Sequence, residues 1–217
     1  MSIELFAHPF SSYCQKALIA FYENDVPFTF RMLEDAGVGE ELASLWPMKR
    51  FPILRENGRV VLEASIVIEY LQVHHPGPVK LVPEDPDLAL EARMLDRFFD
   101  NYVMTPQGKF VFDALRPIES RDPHGVEDAR NMLDTSYAWL DQYMQGRIWA
   151  VGDTFTLADC AAAPSLFYAD WTHRIPEQYG HLAAYRARLL QRPSFARAVE
   201  EARRFRHYFP LGAPDRD

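Results

Sequence analysis

The sequence predicts an α/β layer over residues 1–76, a linker at 77–87, and an all-α domain over 88–217. Three observations predict it. Strand and helix signals alternate through the first 75 residues. Asn57-Gly58 sits between two apolar runs, the strongest short signal for a β-hairpin. Beyond about residue 87 the apolar patterns are all compatible with helix. By length alone, 217 residues fit one large domain or two small ones, since domains commonly hold about 100 to 150 residues.

Ile3 to Ala7 reads as a short apolar strand. Ser11-Ser12 offers a helix cap before Cys14 to Asn24, where Ala17, Leu18, Phe21 and Tyr22 recur at helical spacing, and Asp25-Val26-Pro27 ends that helix. Phe28 to Met32 alternates with β-rich residues, and its return through the first helix makes a βαβ unit. Glu40 to Trp46 forms a short helix before Pro47. Pro52 to Arg55 and Arg59 to Leu62 flank the Asn-Gly turn and are expected to pair antiparallel. Ile66, Val67, Tyr70, Leu71 and His74 then follow at helical spacing. The resulting order, β-α-β-α-β-β-α, is that of a thioredoxin-like layer.

Pro76-Gly77-Pro78 and Pro83-Glu84-Asp85-Pro86-Asp87 are turn-rich and read as the interdomain linker. Helix-compatible patterns then cover Leu88 to Ala114, Val126 to Met144, Leu157 to Trp171, Ala184 to Gln191 and Phe195 to Arg206. Leu211 to Asp217 reads as a loose tail.

With 48% hydrophobic and 25% charged residues and no run of about 18 apolar residues, the pattern is that of a soluble globular chain with no membrane span. Met1-Ser2-Ile3-Glu4-Leu5-Phe6 lacks the basic and apolar segments of a secretory signal, so a cytoplasmic location is expected. The formal charge of -8 and pI near 5.4 disfavour nonspecific binding to nucleic acid, which needs basic patches. The basic residues of Arg186 to Arg206 are interspersed with Glu200 and Glu201, as on a solvated helix face. Two cysteines, Cys14 and Cys160, have no metal-type spacing and set aside a disulfide framework.

Several positions invite chemistry, each against a plainer reading. Thr156-Leu157-Ala158-Asp159 is a capping box flanked by Phe155 and Cys160 at the staple positions; it opens a buried helix and carries no chemical role. Ser11 stands where a strand hands over to a helix, so its hydroxyl serves either as an ordinary cap or, if Ser12 caps, as a group facing a cleft at the positive end of the dipole. Cys14, one turn on, is an activated thiol or, more in keeping with Tyr13 and Ala17 beside it, a packed and inert one. Pro52 suits the first position of a strand, and 16 prolines imply about one cis X-Pro bond in the chain, so position decides. Glu63 alone is a solvated first-turn acid.

Taken together these residues resemble the cytosolic glutathione transferases, in particular the serine-type, theta-related members. The resemblance is carried by Phe10-Ser11-Ser12-Tyr13-Cys14, Asn24-Asp25-Val26-Pro27-Phe28, Pro47-Met48-Lys49-Arg50-Phe51-Pro52, Glu63-Ala64-Ser65 with Ile68-Glu69-Tyr70-Leu71, and Gly152-Asp153-Thr154-Phe155-Thr156-Leu157-Ala158-Asp159. Their order and spacing span both halves of the chain.

The resemblance implies a thioredoxin-like domain that binds glutathione as cosubstrate and a helical domain that shapes the pocket for a small hydrophobic electrophile. No metal is implied, and a homodimer is. Ser11 corresponds to the hydroxyl that bonds the glutathione sulfur, with Ser12 beside it. Phe51 offers its backbone to the cysteinyl unit at an edge opened by a cis Pro52. Glu63 receives the γ-glutamyl ammonium, the N–H of Ala64 or the hydroxyl of Ser65 the neighbouring carboxylate, and Lys49 or Arg50 the glycyl carboxylate. The family motif has Ser directly after the acid, where this chain has Ala64. His8 flanks Ser11 as a possible modulator or as a plain loop residue. Phe98, Phe99, Tyr102, Met104, Phe110 and Trp171 recur at helical spacings that serve core as well as pocket; Phe10, Phe99, Tyr102, Met104 and Trp171 are the expected pocket residues, with the polar handles of Tyr102 and Trp171 best suited to a wet cleft. Two alternatives accompany the transferase: a noncatalytic ligand-binding or docking protein of the same fold, and a glutathione-dependent dehalogenase, isomerase or thiol-disulfide reductase, the last with Cys14 contributing.

Overall fold

The structure, a computed structural model, describes residues 3–217. Met1 and Ser2, the first residues of the segment read for a secretory signal, lie outside the described residues. Strand β1 (Ile3–Ala7) leads through helix α1 (Ser12–Glu23) to β2 (Phe28–Met32) and α2 (Val38–Leu45). The hairpin of β3 (Ile53–Glu56) and β4 (Arg59–Leu62) then leads into α3 (Ala64–His74). The sheet runs β2-β1-β3-β4, with β1 parallel to β2 and antiparallel to β3. In the hairpin turn Asn57 and Gly58 take φ of 52° and 81°, the pair of left-handed residues that a two-residue turn matched to strand twist requires.

Strand alternation sorts the side chains between the two faces of the sheet. Leu5, Ala7, Leu54 and Val61 enter the main core with α1 and α3, whereas Phe6, Val38, Leu42 and Ile53 form a smaller cluster with α2. Arg31 and Arg55 cover that cluster. Each guanidinium lies 5.0 Å from the centre of the Phe6 ring while pairing with Glu4 and Glu41.

The helical half comprises α4 (Pro86–Phe98), α5 (Thr105–Ala114), α6 (Pro123–Tyr143), α7 (Leu157–Thr172), α8 (Gly180–Gln191) and α9 (Pro193–Ala202). It starts inside the expected linker. Turn chemistry predicts a stop at Pro86, but Asp85-Pro86 is a start: Asp85 accepts from the N–H groups of Asp87 and Leu88, and Pro86 fills the first helical position, where a missing N–H costs nothing. Asp122-Pro123 repeats the device at α6. The rest of the segment is pinned. Asn24 and Gln72 each hold one residue, Val79 and Val82, by both its N–H and its carbonyl, and the Leu81 carbonyl accepts from Leu157 N–H at 2.7 Å.

Leu88 to Ala114, expected as one helix, is interrupted. Phe99–Met104 widen into a π-helical turn between α4 and α5. Pro106 cannot donate to the carbonyl of Tyr102, and Ser136 on α6 donates its hydroxyl there instead, at 2.9 Å. Thr105 donates its own hydroxyl back to the Asp100 carbonyl, also at 2.9 Å.

The Asp159 cap does more than end a helix. Besides accepting the Thr156 N–H at 2.8 Å, its carboxylate takes the Ala150 N–H at 2.9 Å and the Tyr185 hydroxyl at 2.6 Å, so one buried group ties α7 to α8 and to the loop before it. Nor is the tail loose. Arg216 pairs with Asp170 near the end of α7, and Asp217 pairs with Arg206 and, at 2.9 Å, with Arg203.

Candidate functional site

Sheet register assembles the site. Phe6, Ile53 and Leu62 stand in one row across β1, β3 and β4, so the segments leaving that end of the sheet come together: the turn into α1, the approach to β3, and the exit from β4. They form one wall of a cleft of about 890 Å³. Ser11, Ser12, Lys49, Arg50, Phe51, Pro52, Glu63 and Ala64 all line it, and the Phe51–Pro52 bond is cis. The opposite wall comes from α4, the π turn and α5.

Ser11, not Ser12, is the cap of α1. Its backbone is extended, φ -85° and ψ 126°, and its Oγ accepts from the Cys14 N–H at 3.4 Å, while Ser12 is the first helical residue. The alternative that frees Ser11 by letting Ser12 cap is thereby corrected. The correction costs the hydroxyl little, because capping uses an acceptor site and leaves the Ser11 proton for a group in the cleft.

Cys14 is fully buried. Its sulfur accepts from the His8 N–H at 3.4 Å, and burial pushes the thiol up to about 12. A thiol so buried and so raised favours the packed, inert reading over the activated one. Iodoacetamide at pH 8 is expected to label neither Cys14 nor the equally buried Cys160 in the native protein and to label both in denaturant, as read by mass spectrometry. His8 is bound into the fold. Its Nδ1 accepts from the Phe10 N–H at 3.1 Å, its Nε2 lies 3.4 Å from Glu34, and its ring packs on Phe205, with burial holding it below the usual histidine range.

At the exit from β4, Glu63 adopts φ 70° and ψ 127°, a region that side-chain-bearing residues avoid. Its exposed carboxylate makes no hydrogen bond or ion pair among the described residues. Ala64 follows at the N-terminus of α3. Ser65 is the residue the sequence offers in place of the missing hydroxyl, but it turns away from the cleft: it is buried, donates to Asp96 Oδ2 at 2.7 Å and accepts from Arg97 at 2.5 Å. These groups belong to a buried cluster where Lys16 of α1 meets Asp96 at 2.5 Å and Asp100 at 2.8 Å.

Of the expected pocket residues, Phe10 and Met104 line the cleft. Phe99, Tyr102 and Trp171 do not. Phe99 is wholly core; Tyr102 is exposed with its ring against Phe98, 5.4 Å between centres; Trp171 packs among Phe167, Tyr168 and Phe209. Tyr102 lies five residues past Arg97, off the face that Arg97, Asn101, Met104, Thr105 and Gly108 present to the cleft at i+3 and i+4 spacing.

Other cleft residues lie outside the sequence expectation: Tyr13, Arg97, Lys109, Phe112, Arg116 and Tyr208. Most read as a solvated helix face. Gly108 was the available signal, a mid-helix glycine with no turn to make, and it too faces the cleft. The Tyr13 hydroxyl is pushed up to about 12 by burial and by the nearby charge of Asp100, so it stays a neutral donor. Burial also raises the Asp100 carboxyl, against the pull of Lys16. Among the described residues no group of three or more His, Cys, Asp or Glu is placed to hold a metal ion, and no helix is long and apolar enough to cross a membrane.

Comparison with known proteins bears on both halves. The family model described as glutathione S-transferase, N-terminal domain, matches residues 5–79, and that of the C-terminal domain matches residues 123–188. The chain is 24% identical over 200 residues to a stringent starvation protein A homolog of Coxiella burnetii, covering 91% of each. It is 26% identical over 210 residues to the FtsZ-localized protein A of Caulobacter vibrioides, covering 90% of each. In structure it resembles a glutathione S-transferase from Methylobacterium radiotolerans in complex with glutathione sulfonate, with a TM-score of 0.79, 28% identity, and coverage of 92% of this chain and 95% of that one.

Proposed function

Because the chain belongs to the glutathione S-transferase family through both of its domains, we propose that it binds glutathione in this cleft and activates the thiol for attack on a small electrophile. The observation that carries the proposal is the unpartnered Glu63 carboxylate, held at a strained φ of 70° at the N-terminus of α3 in the same cleft as Ser11. Such strain costs about 1–3 kcal/mol, persists only where the surrounding structure holds it, and clusters at active sites and ligand clamps. Glu63 receives the γ-glutamyl ammonium, and the Ala64 N–H, at the positive end of α3, receives the adjacent carboxylate. Phe51 precedes the β3 ladder and offers its backbone to the cysteinyl unit; Lys49 or Arg50 meets the glycyl carboxylate. That order brings the sulfur to Ser11, whose hydroxyl donates a hydrogen bond to the thiolate once the thiol proton has left to solvent. The sulfur then forms a bond to the electrophilic carbon, and the leaving group departs with its electron pair.

Glu63→Gln keeps the shape and removes the charge, so it tests the assignment without disturbing the backbone. Losing a charge-assisted hydrogen bond worth about 1.5–3 kcal/mol is expected to weaken glutathione binding about 10- to 100-fold by calorimetry, with the urea midpoint unchanged. An unaltered affinity would remove the assignment.

A second reading is favoured by one observation: Ala64 stands where the family has a hydroxyl, and Ser65 is turned into the core. It is a noncatalytic protein of this fold that docks to a partner. A thiolate difference spectrum on adding glutathione separates the two, because binding without a thiolate signal belongs to the docking protein. The proposal includes a homodimer. Ile66 and Val73 on α3 and Leu90 and Met94 on α4 are exposed, and the bidentate Arg93–Glu69 pair links these two helices. Light scattering of the eluted protein checks it.

A further inference from the structure

The glutathione reading, on which this inference rests, leaves positive charge in the cleft without a task. Five cations line it, Lys49, Arg50, Arg97, Lys109 and Arg116, against the carboxylates of Glu63 and Asp100, on a chain whose formal charge is -8. Arg97 is matched inside the protein by Asp96 and Asp100, at 2.5 and 2.8 Å, and Lys109 by Asp122 at 2.5 Å. Lys49, Arg50 and Arg116 make no ion pair or side-chain hydrogen bond among the described residues. The first two stand on the sheet wall and are taken by the peptide. Arg116 stands on the other wall, just past the far end of α5 and roughly 15 Å along the helix from Thr105.

Between Thr105 and Arg116 the wall of α5 carries Gly108, Val111 and Phe112 beside Gln107 and the paired Lys109. Phe112 is 61% exposed and lines the cleft with Met104, so a large ring is left without cover unless a ligand supplies it. Gly108, one turn before Phe112, removes the side chain that would fill the space beside that ring; a Cβ there would sit 3.5 Å from it. The helix therefore presents an apolar strip around Phe112, flanked by the paired Lys109, with a cation at its end. Asp122 limits the excess of charge, because its carboxylate faces Lys109 and lies within electrostatic reach of Arg116, and the three together carry a single positive charge. One unmatched cation beside an uncovered ring asks for one anion on a flat body.

The geometry points to an organic anion as the second substrate: an electrophile whose apolar body lies on Phe112 and Met104 and whose carboxylate, or a like group, is met by Arg116. This narrows the small hydrophobic electrophile that the family resemblance implies to one that carries an anionic group. The anion is a specificity element and takes no part in the transfer itself.

The test uses two unreactive ligands of one shape, 3,5-dinitrobenzoate and 3,5-dinitrobenzamide. Each is titrated by calorimetry into the full-length protein and into Arg116→Gln, with and without S-methylglutathione. The benzoate is expected to bind about five- to tenfold more tightly than the amide in the presence of S-methylglutathione, a modest factor set by partial exposure. That preference is expected to shrink to about twofold or less in Arg116→Gln and in about 0.5 M salt. Equal affinities in the unaltered protein, absence of binding by both, or a preference that survives Arg116→Gln would each overturn the inference. So would a benzoate displaced by S-methylglutathione, which places it on Lys49 and Arg50. Titration of S-methylglutathione alone tests the parent reading separately: if it does not bind while the Arg116-dependent preference stands, the glutathione assignment fails and the anion site remains.

Discussion

Ser11→Ala is expected to raise the pKa of the bound glutathione thiol by one to two units and to cut turnover at neutral pH about 10- to 100-fold. A free thiol of pKa about 8.5 is only a few per cent ionised at neutral pH. Lowering it by two units takes about 2.7 kcal/mol, of which a hydrogen bond to a charged partner supplies about 1.5–3 kcal/mol. The measurement is a pH–rate profile. Because only ionisation changes, the deficit closes as pH rises above the shifted pKa, whereas a merely structural loss would persist at every pH. Ser11 also caps α1, and removing a capping hydroxyl costs about 1 kcal/mol of stability. Ser11→Thr, which keeps both hydroxyl and cap, is the matched control. A profile unmoved by Ser11→Ala would transfer the thiolate to the N–H groups of the α1 N-terminus.

Lys16→Met is expected to destabilise the fold by about 3–5 kcal/mol, a large share of the 5–15 kcal/mol of a typical domain. Lys16 is 1% exposed and sits between Asp96 and Asp100, where α1 of the sheet layer meets α4 and the π turn. Methionine restores its volume but leaves two buried carboxylates with Arg97 alone. The pH dependence has a definite sign. Burial already raises Asp100, and without Lys16 its folded pKa stands further above the unfolded one, so the deficit grows as pH rises through that window and shrinks as acid protonates the group. Urea midpoints at pH 5 and 7 read it. Adding Asp96→Asn and Asp100→Asn is expected to recover most of the loss, and failure to recover would show that packing rather than charge is at stake.

The sheet was legible because local chemistry dictates it. Ile3–Ala7, Phe28–Met32 and the Asn-Gly hairpin each follow from alternation or turn type, and the row of Phe6, Ile53 and Leu62 then brings Ser11, Pro52 and Glu63 to one end. The helical wall was less so. Periodicity cannot reveal a π turn, because the same residues satisfy an uninterrupted helix until Pro106 forces the question. Tyr102 reads as pocket for its polar handle, whereas the face that reaches the cleft runs from Arg97 through Asn101, Thr105 and Gly108, polar or small residues that an apolar pattern passes over. Ser65 illustrates the other limit. Its neighbour in sequence is the cleft, but its partners, Asp96 and Arg97, lie some thirty residues away, and no local pattern announces them.

The π turn at Phe99–Met104 also buffers the cleft against a change in chain length. Each residue of an α-helix advances the next by about 100°, and a π turn holds one residue more than an α turn. Deleting a single residue between Phe99 and Met104 is expected to convert it to α geometry while leaving Thr105, Gly108 and Phe112 on the wall, because the wider turn already absorbs the residue that would otherwise rotate α5 by that angle. The same length change inside the regular turns of α5 has no such buffer and rotates every residue beyond it. Proteins of this fold that are matched position by position across this turn, without counting its extra residue, would be credited with one another's contacts.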